Sequence, residues 1–184
     1  MRVGAVLNRL FRAVSALFLV GLVASCGGAK PEPTKFKSYD GPPVTQIVVK
    51  KGQREMYLVS GQKVIKNYKI DLGSQPVGAK QFEGDGKTPE GLYFINRFNP
   101  NSLYHLSVGI SYPNNDDRAR AQMMGLRPGG DIMIHGLGPY GRAANRPDWT
   151  AGCIAVNDQE IEEIYAMLAR NGNGTTGVPV FILP

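Results

Sequence analysis

The chain has 184 residues and a formal net charge of +6, with 42% hydrophobic and 20% charged residues. That length is enough for one compact domain once a short N-terminal segment is set aside, and the sequence contains no internal repeat that would indicate a second domain. Three basic residues lie in that segment, and no basic run is interleaved with aromatic residues, so the charge does not indicate a nucleic-acid partner.

The first 25 residues have the pattern of a secretory signal. Three arginines precede an apolar run from Ala13 to Ala24, which is too short for a bilayer span of about 20 residues. The run leads into Val23-Ala-Ser-Cys26, which resembles the lipobox of bacterial lipoproteins, whose cysteine is lipidated and becomes the first mature residue. We therefore expect residues 1–25 to be a lipoprotein signal peptide and Cys26 to anchor the protein to a membrane through lipid. An ordinary signal peptide with a chance cysteine is the alternative.

Residues 26–43 follow as a predicted flexible tether. They are rich in Gly, Pro and Lys and almost free of apolar residues, which is typical of a linker. Gly27 and Gly28 follow Cys26 with no Asp beside it, and by resemblance to Gram-negative sorting rules this favours the inner leaflet of the outer membrane. The expected location is therefore the periplasm, with the folded domain spanning residues 44–184.

The pattern from residue 44 onward is that of β-strands. β-Branched and aromatic residues recur with partial alternation, and Lys51-Gly52 and Gly61-Gln62 are turn signals. The predicted strands are Thr45–Lys50, Glu55–Ser60, Lys63–Ile70, Leu92–Phe98, Tyr104–Ser111, Ile132–His135 and Val178–Leu183. The short apolar strand that ends at His135 is predicted to be central in the sheet.

Two helices are predicted, at Asn115–Met124 and Asn157–Arg170. Both begin with Asn or Asp residues that cap helices, and Gly125 or Asn171-Gly172 follows each of them. The second helix has one apolar face, formed by Ile161, Ile164, Tyr165 and Leu168 together with Ile154 just before it. The sequence thus predicts a mainly β domain, mostly antiparallel, with one or two helices.

Cys153 is a candidate nucleophile. It has no partner in the mature chain if Cys26 carries lipid, and a free thiol in an oxidising compartment is a liability unless its chemistry is used. The thiolate is the reactive form, so a nucleophilic cysteine needs a basic partner. The chain has two histidines, and His135 lies 18 residues before Cys153. These two residues are the predicted nucleophile and base.

The residues around Cys153 support that pairing. His135 ends a predicted strand, which fixes its backbone. Cys153 follows Gly152 at the start of a predicted helical segment, where backbone N–H groups and the helix dipole favour a thiolate. The backbone N–H groups of Gly152 and Cys153 are the predicted donors of an oxyanion hole.

The order of these motifs resembles the L,D-transpeptidase catalytic domain (YkuD-like) family. His135, 14 further residues and then Thr150-Ala-Gly-Cys-Ile154 resemble the family signature, and residues 84–94 resemble its upstream segment. Residues 107–116 and 128–136 resemble the Gram-negative branch, as do residues 148–156, and the likeness covers roughly residues 44–184. The resemblance implies the β-sandwich or barrel-like catalytic fold of that family, in its Gram-negative lipoprotein branch.

The resemblance also implies a reaction and its residues. Cys153 would be the nucleophile and His135 the general base and acid, oriented by the backbone carbonyl of Gly136. The implied substrate is the peptidoglycan stem tetrapeptide, attacked at the L-centre of diaminopimelate with release of D-Ala. An amine then resolves the thioester, giving a 3→3 crosslink or attaching a protein lysine or a D-amino acid. No cofactor is implied.

Two departures from the family pattern keep alternatives open. Ala151 stands where the family commonly has His, and Ala155 where many members have Arg or Asn. A hydrolase of the same bond is one alternative, either an L,D-carboxypeptidase or an amidase that releases a wall-bound lipoprotein. A non-catalytic peptidoglycan-binding lipoprotein is the other. The acceptor and the oligomeric state stay open.

Several further residues are site candidates or have predicted structural roles. Thr150, Arg142, Arg146 and Trp149 precede Cys153 and are candidate substrate contacts, while the last three could equally be solvated lid residues. His105 is predicted to be structural. A zinc site formed by His105, His135, Cys153 and Asp131 is rejected, because their spacing lacks the paired ligands of such sites.

Overall fold

A computed structural model gives the structure of the protein, and it describes residues 34–169 and 176–184. The predicted signal peptide at residues 1–25, Cys26 and the first part of the tether lie outside the described residues. Within the described ranges, no helix is both long enough and apolar enough to cross a bilayer.

Eight strands in the described part of the chain form one sheet. They are β1 Gln46–Lys50, β2 Glu55–Ser60, β3 Lys63–Lys69, β4 Gly91–Asn99, β5 Ser107–Ile110, β6 Met133–His135, β7 Ile154–Ala155 and β8 Pro179–Leu183. Their order in the sheet is β3-β2-β1-β8-β4-β5-β6-β7. The β1–β8 and β6–β7 pairs are parallel and the other neighbours antiparallel, so the predicted mainly β, mostly antiparallel fold is confirmed.

Two strand predictions need correction. Strand β6 is not central, because only the two-residue strand β7 lies between it and the sheet edge. The strand predicted over Tyr104–Ser111 begins at Ser107. His105 has a φ of +75°, which a strand does not accommodate, so Tyr104 and His105 belong to the preceding turn.

Three α-helices accompany the sheet in the residues the structure describes. They are α1 Asn115–Met123, α2 Gly138–Arg142 and α3 Asp158–Leu168, and a 3-10 turn covers Lys51–Gln53. Asn114 and Asn157 cap α1 and α3 in capping boxes with Asp117 and Glu160. Both predicted helices are therefore confirmed, to within two residues at either end. The short α2, which opens with Gly-Pro, was not predicted.

Helix α3 covers the part of the sheet that carries β5 and β6. Its apolar face is buried through Ile161, Ile164 and Leu168, which belong to the same core as Val108 of β5 and Ile134 of β6. Each such side chain contributes about 1.5–3 kcal/mol when it leaves water. This packing fixes β6, and with it the position of His135.

Residues 34–37 lie against the folded domain. Lys35 Nζ donates to the carbonyls of Pro100 at 2.6 Å and His105 at 3.2 Å. The Phe36 ring centroid is 6.2 Å from that of Tyr165, and Lys37 Nζ is 3.2 Å from a Glu162 carboxylate oxygen. For residues 26–33 the flexible tether stays a prediction.

Candidate active site

The pairing of β6 with β7 brings His135 and Cys153 to one place. Ile134 and His135 of β6 pair with Ile154 and Ala155 of β7, so Cys153 enters β7 beside Met133. The Met133 N–H donates to Cys153 Sγ at 3.4 Å. Met133 and His135 are two residues apart on one strand and therefore share a face. His135 and Cys153 both line a cavity of about 430 Å³.

The His135 ring is buried and held on several sides. It is 3% exposed, its Nδ1 is 2.6 Å from the Gly136 carbonyl oxygen, and the rings of Tyr104 and Trp149 lie 4.5 Å and 5.7 Å away. Burial lowers the pKa of His135, against a weaker opposing effect of the Gly136 carbonyl. Because a carbonyl only accepts, the neutral ring carries its proton on Nδ1. Its Nε2 is then the basic nitrogen.

The Cys153 thiol is half-buried and neutral at rest. Its Sγ donates to the Asp131 carbonyl at 3.4 Å. Burial raises the pKa of Cys153, although the Met133 N–H lowers it in part. No hydrogen bond joins Sγ to His135 among the residues that the structure describes. Base catalysis therefore requires the thiol to turn from the Asp131 carbonyl toward Nε2.

The predicted helix at Cys153 is wrong. Ala155 exchanges backbone hydrogen bonds with Asp71, and Val156 N–H donates to the His135 carbonyl. Those bonds keep the chain extended after Cys153, and α3 begins only at Asp158. A helix dipole acts within the first turn of its helix, so it does not favour a Cys153 thiolate.

Thr150 braces the turn that carries Cys153. Its buried hydroxyl accepts the Gly152 N–H at 3.1 Å and donates to the Cys153 carbonyl at 2.7 Å. Thr150 is not among the residues that line the cavity, and the Gly152 N–H already donates to the Thr150 hydroxyl. The Cys153 N–H has no acceptor among the described residues. Of the two predicted oxyanion donors, the Cys153 N–H is therefore the one that is free to bind an oxyanion.

Gly152 allows that turn to pack closely. Its φ is +131°, and a Cβ there would lie 2.6 Å from the Lys87 carbonyl oxygen. The opposing loop is itself anchored, because the buried Thr88 hydroxyl accepts the Gly73 N–H at 3.1 Å. The loop around Lys87 and Thr88, which resembled a family motif in sequence, therefore acts here as a support for the nucleophile turn.

The remaining predicted contacts do not line the cavity. Arg142 pairs with Asp158 at the start of α3, and Arg146 is exposed. Trp149 packs on His135 and on Tyr104. His105 also lies outside the cavity, with its Nε2 2.7 Å from a Glu162 carboxylate oxygen.

Sequence reasoning missed most of the cavity wall. Besides His135 and Cys153, the lining residues are Arg97, Asn99, Ser102, Leu103, Tyr104, Ser107, Asp131 and Met133. Asp131 and Met133 flank the start of β6 within the segment that resembled the family, which was a usable signal. The others come from β4, β5 and the loop between them. In the described ranges, no three His, Cys, Asp or Glu side chains are placed to hold a metal ion.

Comparisons with known proteins identify the family of the folded domain. The family model "YkuD: L,D-transpeptidase catalytic domain" matches residues 44–182. The chain is 29% identical over 177 residues to the Escherichia coli (strain K12) protein "Putative L,D-transpeptidase YafK", covering 93% of this chain and 63% of that protein. It therefore spans less than two thirds of the length of that relative.

Two solved structures are similar in fold and sequence. The first is the helical cell shape determining protein Pgp2 (K307A mutant) from Campylobacter jejuni, with 29% identity and a TM-score of 0.57, covering 78% of this chain and 48% of that one. The second is Bd1075 from Bdellovibrio bacteriovorus, with 25% identity and a TM-score of 0.51, covering 77% and 48%. The chain thus spans about half the length of each.

Proposed function

This chain belongs to the L,D-transpeptidase catalytic domain family, and from that premise we propose that it is a peptidoglycan L,D-transpeptidase acting through a Cys153 thioester. The observation that supports this best is the placement of His135 and Cys153 on neighbouring strands at one cavity. The Gly136 carbonyl holds His135 in the tautomer that leaves Nε2 basic. A cysteine nucleophile needs a base of that kind.

Acylation begins from a neutral pair. Cys153 Sγ attacks the carbonyl at the L-centre of diaminopimelate in a stem tetrapeptide while its proton passes to His135 Nε2. The Cys153 N–H donates to the oxyanion that forms. When the tetrahedral intermediate collapses, the bond to the D-Ala nitrogen breaks and His135 returns the proton to that nitrogen. D-Ala leaves as the free amino acid, and the peptide stays on sulfur as a thioester.

Transfer to an acceptor reverses these roles. His135 takes a proton from the incoming amine, the amine attacks the thioester, and the C–S bond breaks as Cys153 leaves and regains its proton. Diaminopimelate as acceptor gives a 3→3 crosslink, while a protein lysine or a D-amino acid gives an attached group. Pgp2 is a helical cell shape determining protein, and we expect loss of this chain likewise to alter cell shape.

The test is incubation of the purified protein with disaccharide tetrapeptides, followed by mass spectrometry of the products. Crosslinked dimers that depend on Cys153, judged against Cys153→Ala, would establish transfer. Shortened tripeptide monomers alone would replace transfer by the hydrolase alternative. A protein that forms neither product nor a carbapenem adduct on Cys153 would instead be a non-catalytic wall-binding lipoprotein.

We also propose that the protein is a periplasmic lipoprotein held by a lipid on Cys26, in the inner leaflet of the outer membrane. The lipobox-like Val23-Ala-Ser-Cys26 and the following glycines support this. Labelled palmitate should be incorporated into the parent and not into Cys26→Ser, and density-gradient fractionation should place the labelled parent with outer-membrane markers. Recovery of unlabelled parent in the soluble fraction would reject the lipid anchor.

A further inference from the structure

Two charged side chains of the cavity take no part in the chemistry above. Arg97 and Asp131 form an ion pair at 2.6 Å, and they are 46% and 88% exposed. Both line the cavity with Cys153. The Arg97 guanidinium also lies 3.1 Å from Met133 Sδ, in the residue whose N–H contacts Cys153 Sγ. The pair therefore lies at the mouth of the site that holds the nucleophile.

The backbone around Arg97 is arranged to bring its side chain there. Arg97 lies on β4 next to an irregularity in its pairing with β5, and its partner across the strands is Gly109. A Cβ on Gly109 would lie 2.7 Å from Arg97 Cγ and 2.9 Å from its Nε. The absence of a side chain at Gly109 thus lets Arg97 lie across β5 and reach the start of β6.

Asp131 links this pair to the nucleophile. Its backbone carbonyl accepts the Cys153 thiol, and its carboxylate holds Arg97. Asp131 has a φ of +56°, a conformation that Asp and Asn tolerate better than most residues. Only one guanidinium nitrogen contacts the carboxylate, so both partners keep free hydrogen-bonding positions. Exposed ion pairs of this kind contribute little stability, so a ligand can separate them at small cost.

We propose that Arg97 and Asp131 bind the zwitterionic D-centre of diaminopimelate in the acyl donor. Arg97 takes its carboxylate and Asp131 takes its ammonium group. This inference rests on the proposed function, because it assigns one end of that substrate. The D-centre lies about 5 Å from the L-centre along the diaminopimelate side chain, at ordinary carbon–carbon bond lengths. The backbone carbonyl of Asp131 is 3.4 Å from Cys153 Sγ. A peptide whose L-centre carbonyl lies at Sγ therefore has its D-centre close to Asp131.

The experiment varies only the D-centre of the donor. The wild-type protein is given disaccharide tetrapeptides whose third residue is meso-diaminopimelate, its D-carboxamide, or its D-N-acetyl derivative, and kcat/KM for D-Ala release is measured. Each neutralised donor should react about 10- to 100-fold more slowly, as expected for the loss of a charge-assisted hydrogen bond. Equal rates on all three donors would overturn the proposal.

Two variants assign the two charges. Arg97→Gln should lose the preference for the free carboxylate, by slowing the meso-diaminopimelate donor to the rate of the carboxamide. Asp131→Asn, which keeps a residue tolerant of positive φ, should lose the preference over the N-acetyl donor. Arg127→Gln is the matched control, because Arg127 forms an exposed ion pair with Glu83 outside the cavity. Its donor preferences should equal those of the wild type.

A binding measurement separates this inference from the proposed function. In a Cys153→Ala background, calorimetry with the meso-diaminopimelate tripeptide and its carboxamide reports recognition without turnover. Selective binding that Arg97→Gln abolishes, in a protein whose wild type shows no turnover, would reject the proposed function and keep the inference. Turnover of tetrapeptides with no preference for the charged D-centre in either assay would reject the inference and keep the proposed function. Alkylation of Cys153 by iodoacetamide should slow only slightly in Arg97→Gln, because the Arg97 charge lowers the Cys153 pKa only weakly. A loss of alkylation rate as large as the loss of donor preference would show that Arg97 acts through the thiol instead.

Discussion

The two sides of the cavity are built in opposite ways. On the side of His135 and Cys153, the polar groups are buried and bonded to one another, from the Gly136 carbonyl to the Thr150 hydroxyl. At the rim beside Cys153, Arg97 and Asp131 are largely exposed and share one ion pair. The first side, which we call the reactive wall, is preorganised for one reaction. The rim is free to meet a ligand, as expected where recognition rather than chemistry is required.

The reactive wall depends on one atom for its chemistry, so the largest predicted effect is that of Cys153→Ser. The substitution removes the sulfur nucleophile with almost no change of volume in a half-buried side chain. We expect D-Ala release to fall by about 10³-fold or more, with the thermal unfolding midpoint close to that of the parent. Retention of more than a tenth of the parent rate would contradict the assignment of Cys153 as nucleophile.

The residues of the reactive wall could be predicted from the sequence, whereas Arg97 of the rim could not. His135, Gly152 and Cys153 were found because the motif is local, and helices α1 and α3 because their Asn caps are. Arg97 was missed, because its place in the cavity depends on pairing with Gly109 of the next strand. Such contacts between distant parts of a chain leave no periodicity in either segment.

The error at Cys153 has a related cause. Ile154, Ala155 and Val156 lie just before a real helix and read as its first turn in sequence. Their backbone groups are instead bonded to Asp71 and His135. Tertiary pairing thus overrode local propensity over a stretch of a few residues, and it removed the helix dipole that the sequence had assigned to the thiol.

A second way to break the reactive wall is Gly152→Ala. The new Cβ would lie 2.6 Å from the Lys87 carbonyl oxygen, at a φ of +131°. We expect a loss of about 2–4 kcal/mol in the free energy of unfolding from strain and overpacking together, measured by urea denaturation. On the rim side Gly130→Ala is the control, since no atom lies within 4 Å of its Cβ position and its φ is not positive. Equal losses of unfolding free energy in both variants would show that the reactive wall is packed no more closely than the rim.

The buried imidazole predicts where the acidic limb of the pH–rate profile falls. Burial lowers the pKa of His135, and the neutral ring is the active form. Activity should therefore fall only as the pH drops below about 6.5, the ordinary histidine value. His105→Asn is the control, because His105 pairs with Glu162 outside the cavity and its loss should leave the kcat/KM limb in place. A limb above the ordinary value would show that His135 is not held neutral by burial.

The smallest predicted effect is that of Trp149→Leu, which tests whether Trp149 excludes water from the His135 ring. Trp149 lies 5.7 Å from the His135 ring, edge to face, and Trp149→Leu would admit water beside the imidazole. Less desolvation raises the His135 pKa toward its ordinary value, so the acidic limb should move up by a few tenths of a pH unit and kcat/KM should fall only a few-fold. Tyr140 is the matched control, because its ring lies 5.7 Å from that of Tyr104 and its side chain is exposed. Tyr140→Leu should leave the limb where it is. An identical shift in both variants would mean that Tyr104, which both residues contact, sets the environment of His135 instead of Trp149.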